Sequence, residues 1–431
     1  MDIKFRFYEQ GDEEGIVRVM RECFKTYREW GLTANEWLKL AKIDEGFDKS
    51  NALVAEHDGK IVGHVQIITR ELRICNTYVK TGGIANVSTD PNYRGKGIAT
   101  NLLKIAINKI KEMGLSLSSL FTDYTSNAHR IYRRLGFTDT LLLSRFHGKR
   151  EEAIETIRKL EKYGKAKCEE ASGNDLNVIK NLYHTYTSST NITGAIKRSS
   201  DYIKNKILNG YFHTSFYDLG VKIYKVLQGD EPIGYFIIAL GRDFQRYKPV
   251  SLETAIIFEL AGKDNISTSI VLREALNKAL ERDAREITLP IQPTLEIRRS
   301  LKSFKILYEG GIYMNRIINL KKLFEEIKPS LDLNLDRLPN LNCKFKIETS
   351  TDQVNLEIIN NEILIVEEPQ QIDVSIKVKD EDLVQLIYGI KKPEDLILDS
   401  IKVSGNIPIL KNVLKTLFRK STLHIFTPDH W

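Results

Sequence analysis

The chain has 431 residues, of which 42% are hydrophobic and 28% are charged, and its 64 Lys and Arg against 57 Asp and Glu leave a net charge of +7. These values are typical of a folded globular protein, and they exclude a mostly disordered chain, a collagen and a small disulfide scaffold. At about 150 residues per domain, the length predicts roughly three domains. The four cysteines lie far apart and the eight histidines lack metal-ligand spacing, so we expect neither a disulfide framework nor a metal site.

No targeting or membrane segment is predicted. The first fifteen residues carry charges from position 2 onward and contain no apolar stretch, so they do not form a signal peptide. The most apolar run, Ile233–Leu240, has eight residues, whereas a membrane span needs about 20. We therefore expect a soluble, cytoplasmic protein with no membrane partner. The small positive charge is not clustered with aromatic residues, which argues against a nucleic-acid partner.

Residues 1–150 are predicted to alternate between helix and strand. The evidence is apolar residues at helical spacing, an Asp-Gly pair suited to a hairpin turn, and glycines placed to end helices. In chain order the predicted elements are a helix over Glu13–Trp30, a hairpin turning at Asp58-Gly59, a strand over Gly83–Val87, a helix over Ile98–Met113, a strand over Ser118–Thr122 and a short helix ending at Gly136.

The rest of the chain divides into a weaker copy of this pattern and a different terminal unit. Residues 151–165 are charged and amphipathic, and we predict a solvated linking helix. Beyond them the hairpin at Val226–Gly234 resembles the first one, and a helix and the strand Glu286–Leu289 follow, which indicates a degenerate second copy. From about residue 330, alternating strands and the helices Asp380–Tyr388 and Ile407–Phe418 predict a third, α+β unit.

The sharpest local signal is Val87–Thr100, with the sequence VSTDPNYRGKGIAT, where a strand enters a loop that opens a helix. Gly95 and Gly97 allow backbone N–H groups to approach an anion closely. The helix N-terminus adds unpaired donors, and Arg94 and Lys96 add positive charge. We therefore predict a pyrophosphate cradle that is neither a Walker A loop nor a Rossmann fingerprint. For the RGKG residues alone, a basic surface turn remains the alternative interpretation.

The R-G-x-G-[IL]-A spacing of this loop resembles the acyl-CoA loop of the GCN5-related N-acetyltransferases (GNAT). Downstream, Ser126–Phe137 (SNAHRIYRRLGF) is similar to that family's second signature, N-A-x-x-x-Y-x-x-x-G-F. The resemblance implies acetyl-CoA as co-substrate and no metal. It implies that the cofactor-binding residues are Val87, Ser88 and Thr89 along the pantetheine arm, Arg94, Gly95, Lys96, Gly97, Ile98, Ala99 and Thr100 at the pyrophosphate, and Ser126 and Asn127 across the cleft.

Acetyl transfer to an amine also needs a proton for the leaving thiolate. Tyr132 occupies the family's acid position, and a tyrosine with a pKa near about 10 is a plausible donor to a thiolate whose pKa is near about 8.5. Taken outside the family pattern, the spacing of Tyr132 favours a core aromatic residue on a short helix that holds the Gly136 turn.

Two acetyltransferase-like units followed by a small α+β unit resemble the enhanced intracellular survival (Eis) family, whose third domain looks like a sterol-carrier-protein fold. Asp382–Leu386 and Val403–Asn406 are similar to the helix and loop pattern of that domain. The resemblance implies an α/β (α+β) fold of tandem GNAT units at 1–150 and 151–325, a sterol-carrier-like domain at 326–431, and a homo-hexamer. It also implies that the C-terminal carboxylate of Trp431 returns to the first unit as general base, with His430 as a rival base.

The second unit lacks both signatures. The loop Glu259–Asp264 before its helix has no second glycine, and Thr294–Phe304 after the helix contains no N-A-x-x-x-Y-x-x-x-G-F pattern. We therefore expect one cofactor site, in the first unit. The predicted function is an acetyl-CoA-dependent N-acetyltransferase that acts on the primary amines of an aminoglycoside, a polyamine or lysine by direct attack. The alternatives are a protein or peptide lysine acetyltransferase, and a lipid- or acyl-CoA-binding protein whose catalysis has decayed.

Overall fold

The computed structural model describes residues 2–208, 220–244, 249–289, 295–336, 341–369, 371–399 and 402–430. We call residues 2–149 the first half. Its elements are β1 (Lys4–Phe7), α1 (Glu13–Cys23), α2 (Lys25–Trp30), α3 (Ala34–Ile43), β2 (Phe47–His57), β3 (Lys60–Ile74), β4 (Thr77–Thr89), α4 (Ile98–Glu112), β5 (Leu117–Asp123), α5 (Asn127–Arg134) and β6 (Thr138–Lys149).

Most of the elements predicted for the first half are confirmed, and one is wrong. Asp58 and Gly59 take positive φ values of 48° and 74° in the β2–β3 turn, as the hairpin prediction requires. The single helix predicted over Glu13–Trp30 is broken at Phe24, whose extended backbone (φ −113°, ψ 115°) ends α1. An extended residue cannot continue the i to i−4 hydrogen-bond ladder, so α2 starts as a separate helix.

We call residues 150–317 the second half. Its elements are α6 (Arg150–Leu160), β7 (Lys167–Glu170), α7 (Leu176–Ser189), β8 (Ile192–Thr193), α8 (Ser200–Tyr202), β9 (Lys222–Gln228), β10 (Glu231–Leu240), β11 (Thr254–Gly262), α9 (Asn265–Glu281), β12 (Glu286–Leu289), α10 (Leu295–Ser300) and β13 (Lys305–Ile317). The linking helix is α6, and it is not fully solvated as predicted. Its residues Ala153, Thr156 and Leu160 are buried, and the helix packs against α9.

The two halves exchange their last strands. Twelve of the strands described up to residue 317 form one sheet in the order β1-β2-β3-β4-β5-β13-β6-β12-β11-β10-β9-β7. β13 of the second half pairs with both β5 and β6, and β6 of the first half pairs with β12. Counted inward from either edge, the sheet therefore has five strands of one half, and the sixth is the last strand of the other half.

The remaining chain adds a second sheet and returns to the second half. Its elements are α11 (Leu320–Leu335), β14 (Cys343–Glu348), β15 (Gln353–Ile359), β16 (Glu362–Val366), β17 (Val374–Lys377), α12 (Asp380–Ile387), α13 (Pro393–Asp399), β18 (Lys402–Gly405), α14 (Ile407–Leu417) and β19 (Thr422–Leu423). The strands β16-β15-β14-β17-β18 form a five-stranded sheet. The predicted domain boundary at 325/326 falls inside α11, so it cuts through a continuous helix.

One apolar core connects all three parts of the chain. It contains Leu72 from the first half, Ile237 from the second and Leu386 from α12, each of which is completely buried. β19 pairs in parallel with β8, which brings the end of the chain back onto the second half. Among the helices of the described ranges, none is both long and apolar enough to cross a bilayer.

Candidate active site

A bulge in β4 shapes the site. Gly63 and His64 of β3 face Thr89 and Ser88, but Gln66 faces Ala85, so β4 carries one extra residue between these pairs. Asn86 lies in this bulge with a left-handed backbone (φ 56°), which asparagine tolerates better than most residues. The hydroxyl of Tyr27 donates a hydrogen bond to Asn86 Oδ1 at 2.8 Å and so ties α2 to the bulge.

Beyond the bulge, β4 and β5 separate. Their described parallel pairs run from Thr81 and Leu117 to Ile84 and Leu120, although both strands continue for several residues. The end of β4 is therefore free of β5 and available to a ligand. The hydroxyl oxygens of Ser88 and Thr89 are buried there, and neither has a hydrogen-bond partner among the described residues.

The loop after β4 leaves the N-terminus of α4 open. Gly95 and Gly97 both take φ of 77°, a conformation that glycine adopts without steric cost. Gly97 is the N-cap residue, no side chain caps the helix, and its first turn contains no acidic residue. The unpaired N–H groups and partial positive charge of the helix start are consequently free to bind an anion. Arg94 and Lys96 add two cations to the same loop.

Asp90 holds the start of this loop in place. Its carboxylate is 1% exposed, and it accepts hydrogen bonds from Lys60 at 3.0 Å, Arg18 at 3.2 Å and the Asn92 N–H at 3.0 Å. Burial alone would raise the pKa of Asp90, but these donors hold it below its usual value. The carboxylate therefore stays charged at neutral pH and fixes the loop to α1 and β3.

The corresponding helix of the second half starts differently. The N-cap of α9 is Asp264, whose carboxylate accepts a hydrogen bond from the Ser267 N–H at 2.7 Å. A Cβ placed on Gly262 would lie 2.3 Å from the Thr268 nitrogen, so the loop packs directly on the helix start. An anion at this position would meet the Asp264 carboxylate.

A cavity of about 590 Å³ lies between the end of β4, the start of α4 and α5. This volume is in the range of small-molecule sites, about 300–1,000 Å³. Ten predicted site residues line it: Val87, Thr89, Arg94, Gly95, Gly97, Ile98, Ala99, Thr100, Asn127 and Tyr132. The uncapped helix, the end of β4 that is free of β5 and this volume together fit the pyrophosphate and pantetheine of acetyl-CoA.

Three predicted cofactor residues do not line the cavity. Ser88 is 2% exposed and lies behind the surface of the cavity. The Lys96 ammonium lies 5.1 Å from the centre of the ring of Tyr93, which itself lines the cavity. Ser126 is the N-cap of α5 and accepts a hydrogen bond from the His129 N–H at 3.0 Å, so its hydroxyl orients the helix that carries Asn127.

Tyr132 lies in the cavity wall on α5. The residue is 5% exposed, and its ring meets Phe137 edge-on at 6.1 Å. Burial raises the pKa of Tyr132, and its hydroxyl has no hydrogen-bond partner among the described residues. At neutral pH this hydroxyl therefore holds its proton and can donate it to a ligand atom in the cavity.

The last described residues of the chain approach the separation between β4 and β5 from the face of the sheet opposite to Tyr132. Successive strand residues point to opposite faces: Leu120 packs in the core cluster that contains Tyr132, whereas Phe121 contacts the tail. The His430 ring stacks on Phe121 with 4.3 Å between centroids. His430 also lines a cavity of about 280 Å³ bounded by β6, β11 and β13. Trp431 lies outside the described residues.

Comparison with known proteins assigns the first half. A family model described as an acetyltransferase (GNAT) domain matches residues 4–139. Residues 4–139 form a GNAT acetyltransferase domain. The chain is 29% identical over 138 residues to a mycothiol acetyltransferase from Thermomonospora curvata, in a match that spans 32% of this chain and 44% of that relative. The relationship at this level covers the GNAT domain only.

Two solved structures share the fold over nearly the whole chain. A GCN5-related N-acetyltransferase from Anabaena variabilis superposes with a TM-score of 0.70 at 16% identity, over 98% of both chains. Eis1 from Mycobacterium abscessus superposes with a TM-score of 0.60 at 17% identity, over 99% of both chains. The mixed α/β GNAT fold is thus confirmed, and the likeness at this identity concerns the fold alone.

Several residues of the site were not predicted. Cys23 and Phe24 line the cavity from the junction of α1 and α2, and the Cys23 thiol donates to the Thr89 carbonyl at 3.2 Å. They precede the loop by some seventy positions, and no motif marks them. For Asn86, the signal was an asparagine inside an otherwise β-branched and small-residue strand, which is a common place for a bulge.

Proposed function

We propose that the chain transfers the acetyl group of acetyl-CoA to a primary amine, at one site in the GNAT domain. The observation that carries this proposal is one cavity lined by ten predicted residues, among them Tyr132 and the uncapped start of α4. Tyr132 in the wall of this cavity and the intact loop favour this proposal over a decayed binding module. The matched relatives are named mycothiol acetyltransferases, but they match only 32% of this chain, so the acceptor is not taken from them.

The proposed mechanism assigns a task to each part of the site. Acetyl-CoA supplies a thioester carbonyl that an amine can attack directly. The α4 N-terminus with Arg94 holds the pyrophosphate, and the backbone of Val87–Thr89 orients the pantetheine arm. The amine approaches from the tail side, and as its nitrogen bonds to the carbonyl carbon the carbon–sulfur bond breaks. Tyr132 holds the proton at Oη for the leaving sulfur.

The base that accepts the amine proton is proposed to be the Trp431 carboxylate, with His430 as the alternative. An exposed α-carboxyl group has a pKa of about 3.3–3.7, so a base at this position needs burial or a water relay. The support is the position of His430, which stacks on the first β5 residue beyond the last β4–β5 pair.

We further propose the tandem architecture, with a catalytic unit, a second GNAT-like unit without a cofactor site, and a sterol-carrier-like terminal domain. The mirrored strand order of the 12-stranded sheet supports two related units. The side-chain cap on α9 supports the absence of a cofactor cradle in the second. The acceptor class (aminoglycoside, polyamine or lysine), the hexamer and the cytoplasmic location remain predictions, as does the alternative of a peptide lysine acetyltransferase.

The decisive experiment follows thiol release from acetyl-CoA in the presence of an aminoglycoside, a polyamine or a lysine peptide. Tyr132→Phe is expected to lower kcat by about 100-fold or more while acetyl-CoA still binds. Tyr124→Phe, a nearby tyrosine that is 45% exposed and outside the cavity, is the matched control and should retain kcat. Full turnover by Tyr132→Phe would refute the acid role.

The two candidate bases are separated by moving the carboxylate. One glycine appended to Trp431 keeps both His430 and the indole but displaces the carboxylate by about 3.8 Å. If the carboxylate is the base, this extended chain loses activity and His430→Ala keeps most of it. If His430 is the base, the pattern is reversed.

A further inference from the structure

A buried arginine of the second half is bonded to the tail of the chain. Arg198 is 1% exposed and lies between β8 and α8. Its Nη1 and Nη2 donate to the two carboxylate oxygens of Glu259 at 2.8 and 2.7 Å, and its Nε donates to Asp429 Oδ1 at 3.0 Å. Both carboxylates are completely buried. The fork of one guanidinium thus fixes a tail residue against β11.

Two tyrosines of the second half hold the same tail residue. The Tyr202 hydroxyl lies 3.0 Å from both Asp429 Oδ1 and the Pro428 carbonyl oxygen, and it donates toward them. The Tyr183 hydroxyl shares its one proton between the Ile196 carbonyl, at 2.9 Å, and Asp429 Oδ2, at 3.3 Å. Its ring also lies beneath the guanidinium, with 3.9 Å from Arg198 Cζ to the ring centre. Asp429 therefore has both carboxylate oxygens fixed.

The charges around Asp429 are balanced by residues from both halves. Asp44 of the first half forms buried ion pairs with Arg70 at 2.6 Å and Lys206 at 2.8 Å. The buried group therefore contains three carboxylates and three cations: Asp44, Glu259, Asp429, Arg70, Arg198 and Lys206. Burial raises the pKa of Asp429, and Arg198 opposes that rise. Loss of Arg198 would leave two buried carboxylates with one partner fewer.

The residue after Asp429 contacts the first half. His430 stacks on Phe121, the first residue of β5 after the strand leaves β4. The chain over 428–430 is thus held at one end by the second half and at the other by the edge of the proposed reaction centre. Two residues separate the guanidinium-bound carboxylate from the chain's last carboxylate.

We propose that Arg198 is a positioning residue for acetyl transfer, and that holding the tail through Asp429 is the function of the second half. This inference rests on the proposed function, in which the Trp431 carboxylate is the base. A buried ion pair adds little net stability compared with an apolar pair of the same volume, but it fixes geometry. The planar fork of arginine binds two carboxylates in defined directions, which a flexible lysine cannot reproduce.

The test uses conservative substitutions of the residues that hold the tail. Arg198→Lys keeps the charge but loses the fork, Asp429→Asn is isosteric, and Tyr202→Phe removes one hydroxyl. We expect Arg198→Lys and Asp429→Asn to lower kcat by about 100-fold, the loss typical of a base displaced by about 1 Å. The dissociation constant of acetyl-CoA should stay unchanged, because the cavity that binds it lies on the other face of the sheet.

A matched control is available in the same half. Arg273 is 6% exposed and donates to the Gly164 and Leu160 carbonyls, and it does not touch the tail. Arg273→Lys therefore introduces the same change at an equally buried site and should retain kcat. Where Arg198→Lys fails to fold, Asp429→Asn and Tyr202→Phe carry the test.

A double-mutant cycle separates positioning from a general structural role. Asp429→Asn is combined with the glycine-extended chain, in which the carboxylate is already displaced. If Asp429 acts through that carboxylate, the substitution has no further effect on kcat in the extended chain. Equal losses in both backgrounds, or weaker acetyl-CoA binding, would overturn the positioning role. Full activity of the extended chain alone would instead refute the proposed base.

Discussion

The open start of α4 can be tested by giving it the cap that α9 has. Gly97→Asp places a carboxylate where the pyrophosphate is proposed to bind, as Asp264 does in the second half. A Cβ at Gly97 meets only Asn101 Nδ2, at 3.9 Å, so the substitution causes no steric clash. A side chain at φ 77° costs about 1 kcal/mol, and a carboxylate at a helix N-terminus offsets about 0.3–1 kcal/mol of this. Stability should therefore change little.

The effect on acetyl-CoA is expected to be much larger. Two unit charges about 4 Å apart repel by about 4 kcal/mol at an effective dielectric constant of about 20. Solvent screening reduces this to about 3 kcal/mol, which corresponds to a rise in Kd of about 100-fold. Titration calorimetry with acetyl-CoA measures Kd, and chemical unfolding measures stability. Gly97→Ala has the same backbone strain without the charge and is the control. If Gly97→Asp and Gly97→Ala bind acetyl-CoA equally well, the pyrophosphate does not lie at this helix.

Three further outcomes are expected. Asn86→Ala should lower the free energy of unfolding by about 2 kcal/mol, because alanine is strained in the left-handed backbone and the hydrogen bond to Tyr27 is lost. Asn86→Gly loses the hydrogen bond without the strain. Equal losses of stability in the two variants would contradict a strained backbone at position 86. Arg94→Gln should raise the Kd of acetyl-CoA by about tenfold at low ionic strength and by less in high salt; a salt-independent change would argue against a charge effect. Burial lowers the pKa of His64 to about 4, so between pH 6.5 and 4 the unfolded chain binds the proton and the folded chain does not. Stability should therefore fall by about 3 kcal/mol from pH 7 to pH 4, as urea unfolding can measure, and His64→Gln should reduce this slope; an unchanged slope would assign it to other groups.

The loop and the helix start of the candidate site were predictable because their determinants are local. The strand end, two glycines, two cations and the helix start lie within the fourteen residues Val87–Thr100. A positive φ at Gly95 and Gly97 depends on those residues themselves, and Tyr132 follows in a second short motif. Such features do not depend on which distant segment packs against them.

The tail anchor could not be predicted, since its parts are distant in the sequence. Arg198 lies 61 positions from Glu259 and 231 positions from Asp429. Charged residues are rarely fully buried, so each of these residues taken alone predicts a surface position. Only the fold brings them together. The same holds for the neighbours of β6: its residue pattern does not show that β6 pairs with β13 and β12 of the second half and not with β5 of its own half.

The exchanged strands determine how the protein can be divided. A fragment that ends near residue 150 would keep β6 but lack both of its neighbours, β13 and β12, and β5 would lose β13 as well. Unpaired strand edges of this length promote self-association. The segment that matches the GNAT family model is therefore not a unit that can be excised and studied alone. The smallest autonomous form of this protein extends at least to the end of β13, at Ile317.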